Sequence, residues 1–77
     1  MIRVLLFAHL QEEAGTSELR IEKENITVAE LKDIVANEYN VPVSAPIMVA
    51  INEEYANEDD KIQSDDVVAL IPPVSGG

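Results

Sequence analysis

The sequence predicts an α+β fold, one mixed β-sheet packed on one main helix. Short runs rich in branched and aromatic apolar residues stand near both ends, MIRVLLFA at 1–8 and VVALI at 67–71, and such runs favour strands. Between them, the stretch opening at Thr27 carries its apolar residues on one helical stripe, so a single helix has a sheet to cover. The 77 residues allow one domain, at a size where one core gives only marginal stability.

In chain order, Ile2, Val4, Leu6 and Ala8 of the first strand share one face, and Arg3, Leu5 and Phe7 the other. Both faces are apolar beyond Arg3, which predicts an interior strand with one face only partly covered. His9 to Gly15 suits a helical turn stopped by glycine, and SELRIE at 17–22 alternates as a second strand paired to the first. Thr27-Val28-Ala29-Glu30 has the capping-box pattern, in which the hydroxyl and the glutamate satisfy each other's backbone N–H. Val28, Leu31, Ile34, Val35 and Tyr39 then form the buried stripe of a helix that should end near Asn40, before Pro42. Pro42 and Pro46 flank a loop, 47–51 is a third apolar strand, and Asn52-Glu53-Glu54 turns the chain. Tyr55 is expected to lead into an irregular acidic stretch, and Asp65-Asp66 to turn into the last strand. The first and last strands are the most apolar, so they should lie side by side in the centre, with the chain leaving the sheet at an edge as a projecting tail. The expected organisation is a domain over 1–71 and an extended tail over 72–77.

Composition narrows the functional classes. There is no cysteine, so disulfides, thiolate nucleophiles and sulfur-ligated zinc are excluded. No stretch approaches the roughly 20 apolar residues of a membrane span, and no signal-peptide pattern opens the chain; a cytoplasmic protein without a membrane partner is expected. Fifteen acidic residues against five basic ones give a net charge of -10, while 47% of residues are hydrophobic, so the chain folds and carries its charge outside. That field repels nucleic-acid phosphates and favours a partner with a basic surface, unless it serves solubility alone.

Side chains offer little independent chemistry. Glu53-Glu54 with Asp59-Asp60, or Asp65-Asp66, could hold a hard cation, but the spacing of a calcium-binding loop is absent and solvated surface is the preferred reading. His9, the only histidine, reads as a strand-end or surface residue, and no serine has a recognisable activating motif. With glycine only at 15, 76 and 77, no phosphate-cradling loop is present, and no bound cofactor or metal is expected.

The ending IPPVSGG carries the strongest signal. Pro72 and Pro73 stop the sheet and favour an extended course, giving 72–77 a reach of roughly 19 Å at about 3.1 Å per residue. Val74 is a small apolar anchor and Ser75 a hydroxyl, while Gly76 and Gly77 pass where a Cβ would clash. The terminal carboxylate itself is then the functional group.

LLFAHLQEEAG at 5–15, the helix opening TVAEL, VAIN at 49–52 and DVVALIPPVSGG at 66–77 together resemble the MoaD family, the small sulfur-carrying subunits of molybdopterin synthase, among the ubiquitin-like β-grasp proteins. The resemblance covers essentially the whole chain. It implies that Gly77 is adenylated by an E1-like ATP-dependent adenylyltransferase, which uses ATP with Mg, and is converted to a thiocarboxylate with sulfur from a donor such as a cysteine desulfurase or rhodanese-like protein. Sulfur then passes to cyclic pyranopterin monophosphate to form molybdopterin. Pro72, Pro73, Val74, Ser75 and Gly76 correspond to the tail inserted into a large subunit that holds most of the catalytic side chains, in a heterotetramer with two small subunits. This chain departs from the family in two places: Asp65 stands where glycine is frequent in the turn, and aliphatic Leu70 or Ile71 replaces an aromatic residue near the start of the tail. The same terminus would also suit a carrier for thiamine or tRNA thiolation, a ubiquitin-like modifier, or a binding module.

Overall fold

The computed structural model describes residues 1–41 and 47–72. The loop expected over 42–46, and Pro73, Val74, Ser75, Gly76 and Gly77, lie outside the described residues. The elements in order are β1 (Ile2–Leu6), α1 (His9–Ala14), β2 (Glu18–Ile21), β3 (Ile26–Thr27), α2 (Val28–Glu38), β4 (Met48–Ile51), β5 (Glu54–Tyr55), β6 (Lys61–Ile62) and β7 (Val67–Ile71). Five of the strands form one sheet in the order β2-β1-β7-β4-β5, and β3 pairs with β6 in a separate two-stranded sheet. β1 and β7 run parallel at the centre while β2, β4 and β5 are antiparallel to their neighbours, so the sheet is mixed, as in the ubiquitin-like β-grasp.

One face of the sheet makes the core. Register sets Val4 against Leu19 on one side and Val68 on the other, and Leu70 against Leu6 and Val49. These side chains are buried with Val28, Leu31 and Val35 of α2 and with Leu10, Val41 and Ile62. Each full burial of such a side chain contributes about 1.5–3 kcal/mol. Among the described residues the core holds no polar or charged side chain. Ile34 and Tyr39 complete the expected stripe at its margin, partly buried against the cluster.

The helix ends follow the predicted chemistry. The Glu30 backbone N–H donates to Thr27 Oγ1 at 3.1 Å, and the Thr27 backbone N–H donates to Glu30 Oε1 at 2.8 Å, completing the capping box. Asn40, at φ 56, takes the left-handed backbone that ends α2. Gly15 closes α1 at φ 77, where any other side chain would be strained.

Several expectations need correction. β1 stops at Leu6, and Ala8 is exposed at the start of α1 rather than inward on the strand. The turn after β4 is Asn52-Glu53 alone, both at positive φ (51 and 72), and Glu54-Tyr55 already pairs back onto Ile51 and Ala50 as β5. The acidic stretch is not wholly irregular, because Lys61–Ile62 pairs with Ile26–Thr27 and buries Ile62 completely. Finally, β7 lies between β1 and β4, so the chain leaves from the end of a central strand and not at a sheet edge.

Candidate functional site

The expected site is the tail, and what the structure positions is its root. Pro72 is buried, and with Phe7, Ala8 and Ile71 it lines a small apolar depression at the corner between β1 and α1. Leu10 anchors α1 in the core, which holds that corner in place. Ala8 makes the corner with φ 53 and ψ -132, a conformation suited to glycine; its carbonyl accepts from the Gln11 and Glu12 backbone N–H groups. The first residue of the tail therefore starts from a fixed point on the domain.

The outer face of the sheet, away from α2, surrounds that root. Strand register arranges its side chains in rows. Farthest from the tail are Arg20, Arg3 and Val67, followed by Glu18, Leu5, Ala69, Ala50 and Tyr55. Met48 opposes Ile71 nearest the tail, and Phe7 lines the same surface. Phe7, Met48 and Tyr55 are 44%, 48% and 72% exposed, so large apolar groups stay uncovered on this face. Exposed apolar area concentrated on one face, and rimmed by charge, suits protein docking.

Its rim is electrostatically uneven. Arg3 donates from Nε and Nη2 to the two carboxylate oxygens of Glu18, both at 3.2 Å, and Arg20 Nε donates to Glu18 Oε2 at 3.2 Å. The hydrogen bonds from Arg3 and then Arg20 hold the Glu18 carboxyl below the ordinary carboxylate range. At the opposite corner Glu53 borders the face beside Asn52.

The far end of β7 is clamped. Asn52 Nδ2 donates to Asp66 Oδ1 at 3.0 Å, and Asn52 Oδ1 accepts from the Val67 backbone N–H at 3.0 Å. The Asn52 backbone N–H also donates to the Val67 carbonyl at 2.8 Å. Asp65 occupies its turn at φ 70, so it does the work expected of glycine there, and its N–H donates to the Met1 carbonyl at 2.7 Å. These bonds tie the start of the tail-bearing strand to both β4 and the N-terminus.

The other candidates disperse. His9 is exposed at the start of α1. Asp66 uses its second carboxylate oxygen to accept from the Gln63 N–H, and Asp60 accepts from the Asn57 N–H, both at 2.8 Å, so these acids build turns. Among the described residues no group of three or more His, Cys, Asp or Glu could hold a metal ion. Sequence reasoning did not single out the Arg3-Glu18-Arg20 group or the outer face as a surface. The available signal was the outward alternation of Leu5 and Phe7 with Val67, Ala69 and Ile71.

Comparisons with known proteins identify the family and support the fold. A family model described as the ThiS family matches residues 4–77. The chain is 34% identical over 83 residues to the molybdopterin synthase sulfur carrier subunit of Anopheles gambiae, covering 99% of this chain and 91% of that one. It is 31% identical over 81 residues to the protein of the same description from Escherichia coli, covering all of both chains. Among solved structures it is similar to SAMP1, small archaeal modifier protein 1, of Haloferax volcanii, with a TM-score of 0.82 and 29% identity over 99% of this chain and 98% of that one.

Proposed function

This chain belongs to the ThiS family, and we propose that it works as the sulfur carrier of a molybdopterin synthase, with the Gly77 carboxyl as the reactive group. The observation that carries the reading is the match to sulfur carriers through residue 77 on a fold whose central strand ends at the root of the tail. An ATP-dependent adenylyltransferase transfers AMP to the carboxylate and releases pyrophosphate. The outer sulfur of a donor protein's cysteine persulfide then displaces AMP to give an acyl disulfide, and a second thiol attacks the donor sulfur, forming a disulfide with it and leaving the thiocarboxylate on Gly77. A large subunit takes the tail (Pro72, Pro73, Val74, Ser75, Gly76, Gly77) into its pocket, where sulfur is passed to cyclic pyranopterin monophosphate in the cytoplasm. This chain's part is to fix the root at Pro72, offer the outer face for docking, and send an unencumbered terminus forward. ATP and the pterin are handled by the partners.

Intact-mass measurement tests the first half: incubation with the activating enzyme, ATP and a sulfur donor should replace one oxygen of the chain by sulfur. A chain extended by one residue after Gly77 should fold as before and stay unmodified. Failure of the thiocarboxylated chain, with its large subunit, to sulfurate the pterin precursor would redirect the reading to thiamine or tRNA thiolation. The likeness to small archaeal modifier protein 1 favours one second reading, attachment of Gly77 to lysines of other proteins. Isopeptide-linked adducts in the native cell would establish it.

A further inference from the structure

We propose that Arg3 and Arg20, bridged by Glu18, form an anchor that orients the docked partner by taking a carboxylate from it at the end of the outer face away from the tail. The proposal rests on the reading of the tail as a group delivered to a partner protein.

The argument begins with where the arginines are. They are the only two in the sequence, and both stand in the row of the outer face farthest from the tail, opposite each other across β1 and β2. The Arg3 and Arg20 side chains are 52% and 70% exposed. They share a single carboxylate, so the group keeps one net positive charge in a protein of net charge -10. Arg20 engages Glu18 through Nε alone among the described contacts, which leaves the two terminal nitrogens of its planar fork available to a second carboxylate.

Position gives that charge its use. From Arg3 to Phe7 is four residues of extended chain, about 13 Å at about 3.3 Å per residue. The apolar contact of Phe7, Ile71 and Met48 lies beside the tail, while the charged row lies a strand's length away. An apolar patch alone allows rotation of the partner about the contact. A charge at a distance from it, with Glu53 of opposite sign at the other corner, admits one orientation and disfavours the reversed one. The occupant is therefore a protein surface with an apolar strip at the tail end and a carboxylate facing Arg20.

The test uses the full chain and the large subunit that receives its tail, with affinity measured by calorimetry at low and raised salt. General attraction between this acidic chain and a basic partner would make Arg20→Glu bind more tightly. The anchor requires the reverse: Arg20→Glu should weaken binding about tenfold at low salt, with the loss shrinking as salt is raised. Lys23→Glu, the same charge change in the exposed connection after β2, should stay within about twofold of wild type. Glu18→Gln frees both guanidinium groups and should tighten binding about twofold, although a merely structural ion pair would gain nothing from that change. Circular dichroism melts establish that each variant is folded. Arg20→Glu binding as well as Lys23→Glu, or a loss insensitive to salt, overturns the anchor. No binding by the wild-type chain overturns the docking reading itself, and the anchor with it.

Discussion

Replacing Asn52 by alanine should destabilise the domain more than its exposed position suggests. The change removes the bond that Nδ2 donates to Asp66 at 3.0 Å and the bond that Oδ1 accepts from the Val67 N–H at 3.0 Å. Each is worth about 1 kcal/mol net, because water replaces part of it at an exposed site. Alanine must also adopt the left-handed backbone at φ 51, which costs about 1 kcal/mol more than it costs asparagine. The sum is about 2–3 kcal/mol, or a fall in Tm of about 10–20 °C for a domain of this length. Urea unfolding followed by circular dichroism measures it. Asn52→Gly separates the terms: it accepts the left-handed backbone and loses only the side-chain bonds, so it should cost about 1–2 kcal/mol. Asn52→Asp keeps an acceptor for Val67 but sets a second carboxylate against Asp66, so its deficit should shrink as pH falls into the carboxylate range. An alanine variant within about 0.5 kcal/mol of wild type would refute the clamp.

Three further outcomes are expected. Ala8→Gly should raise unfolding stability by about 1 kcal/mol, since relief of strain at φ 53 exceeds the added freedom of the unfolded chain; a lower Tm would contradict that strain. Phe7→Ala removes a side chain already 44% exposed, so it should cost about 1–2 kcal/mol of stability while weakening large-subunit binding more than about tenfold; unchanged binding would remove Phe7 from the docking face. The Glu18 and Glu30 carboxyls are depressed in the folded protein, by hydrogen bonds from Arg3 and Arg20 and from the Thr27 backbone N–H respectively. Their contribution is therefore present above the ordinary carboxylate range and lost as pH falls through the lowered folded values. Thermal melts from neutral to acid pH should show it, and Glu18→Gln with Glu30→Gln should flatten the curve.

Much of the fold is legible because its signals are local. Branched apolar runs mark β1 and β7, and Thr27 with Glu30 marks the start of α2 from four consecutive residues. β3, β5 and β6 escape because two-residue strands have no period to read. Ile62 is completely buried only through pairing with Ile26, far back in the chain. The site divides the same way. Gly77 and the prolines are read from sequence, with Pro73 to Gly77 outside the described residues, whereas the rows of the outer face require register. Nothing local in SELRIE says that Arg20 faces Arg3, or in VVALI that Ala69 sits between Leu5 and Ala50.

The parallel pairing of β1 with β7 joins the first strand of this fold to its last. Contacts so distant in sequence form late and slowly, because closing the intervening chain costs entropy before any contact rewards it. A nascent chain stopped short of Val67 lacks the strand between β1 and β4, leaving both with open edges, a state suited to proteolysis and aggregation. Completion of the sheet thus waits for the strand that leads into Pro72. A protein that recognises the finished outer face therefore meets only chains that already carry β7.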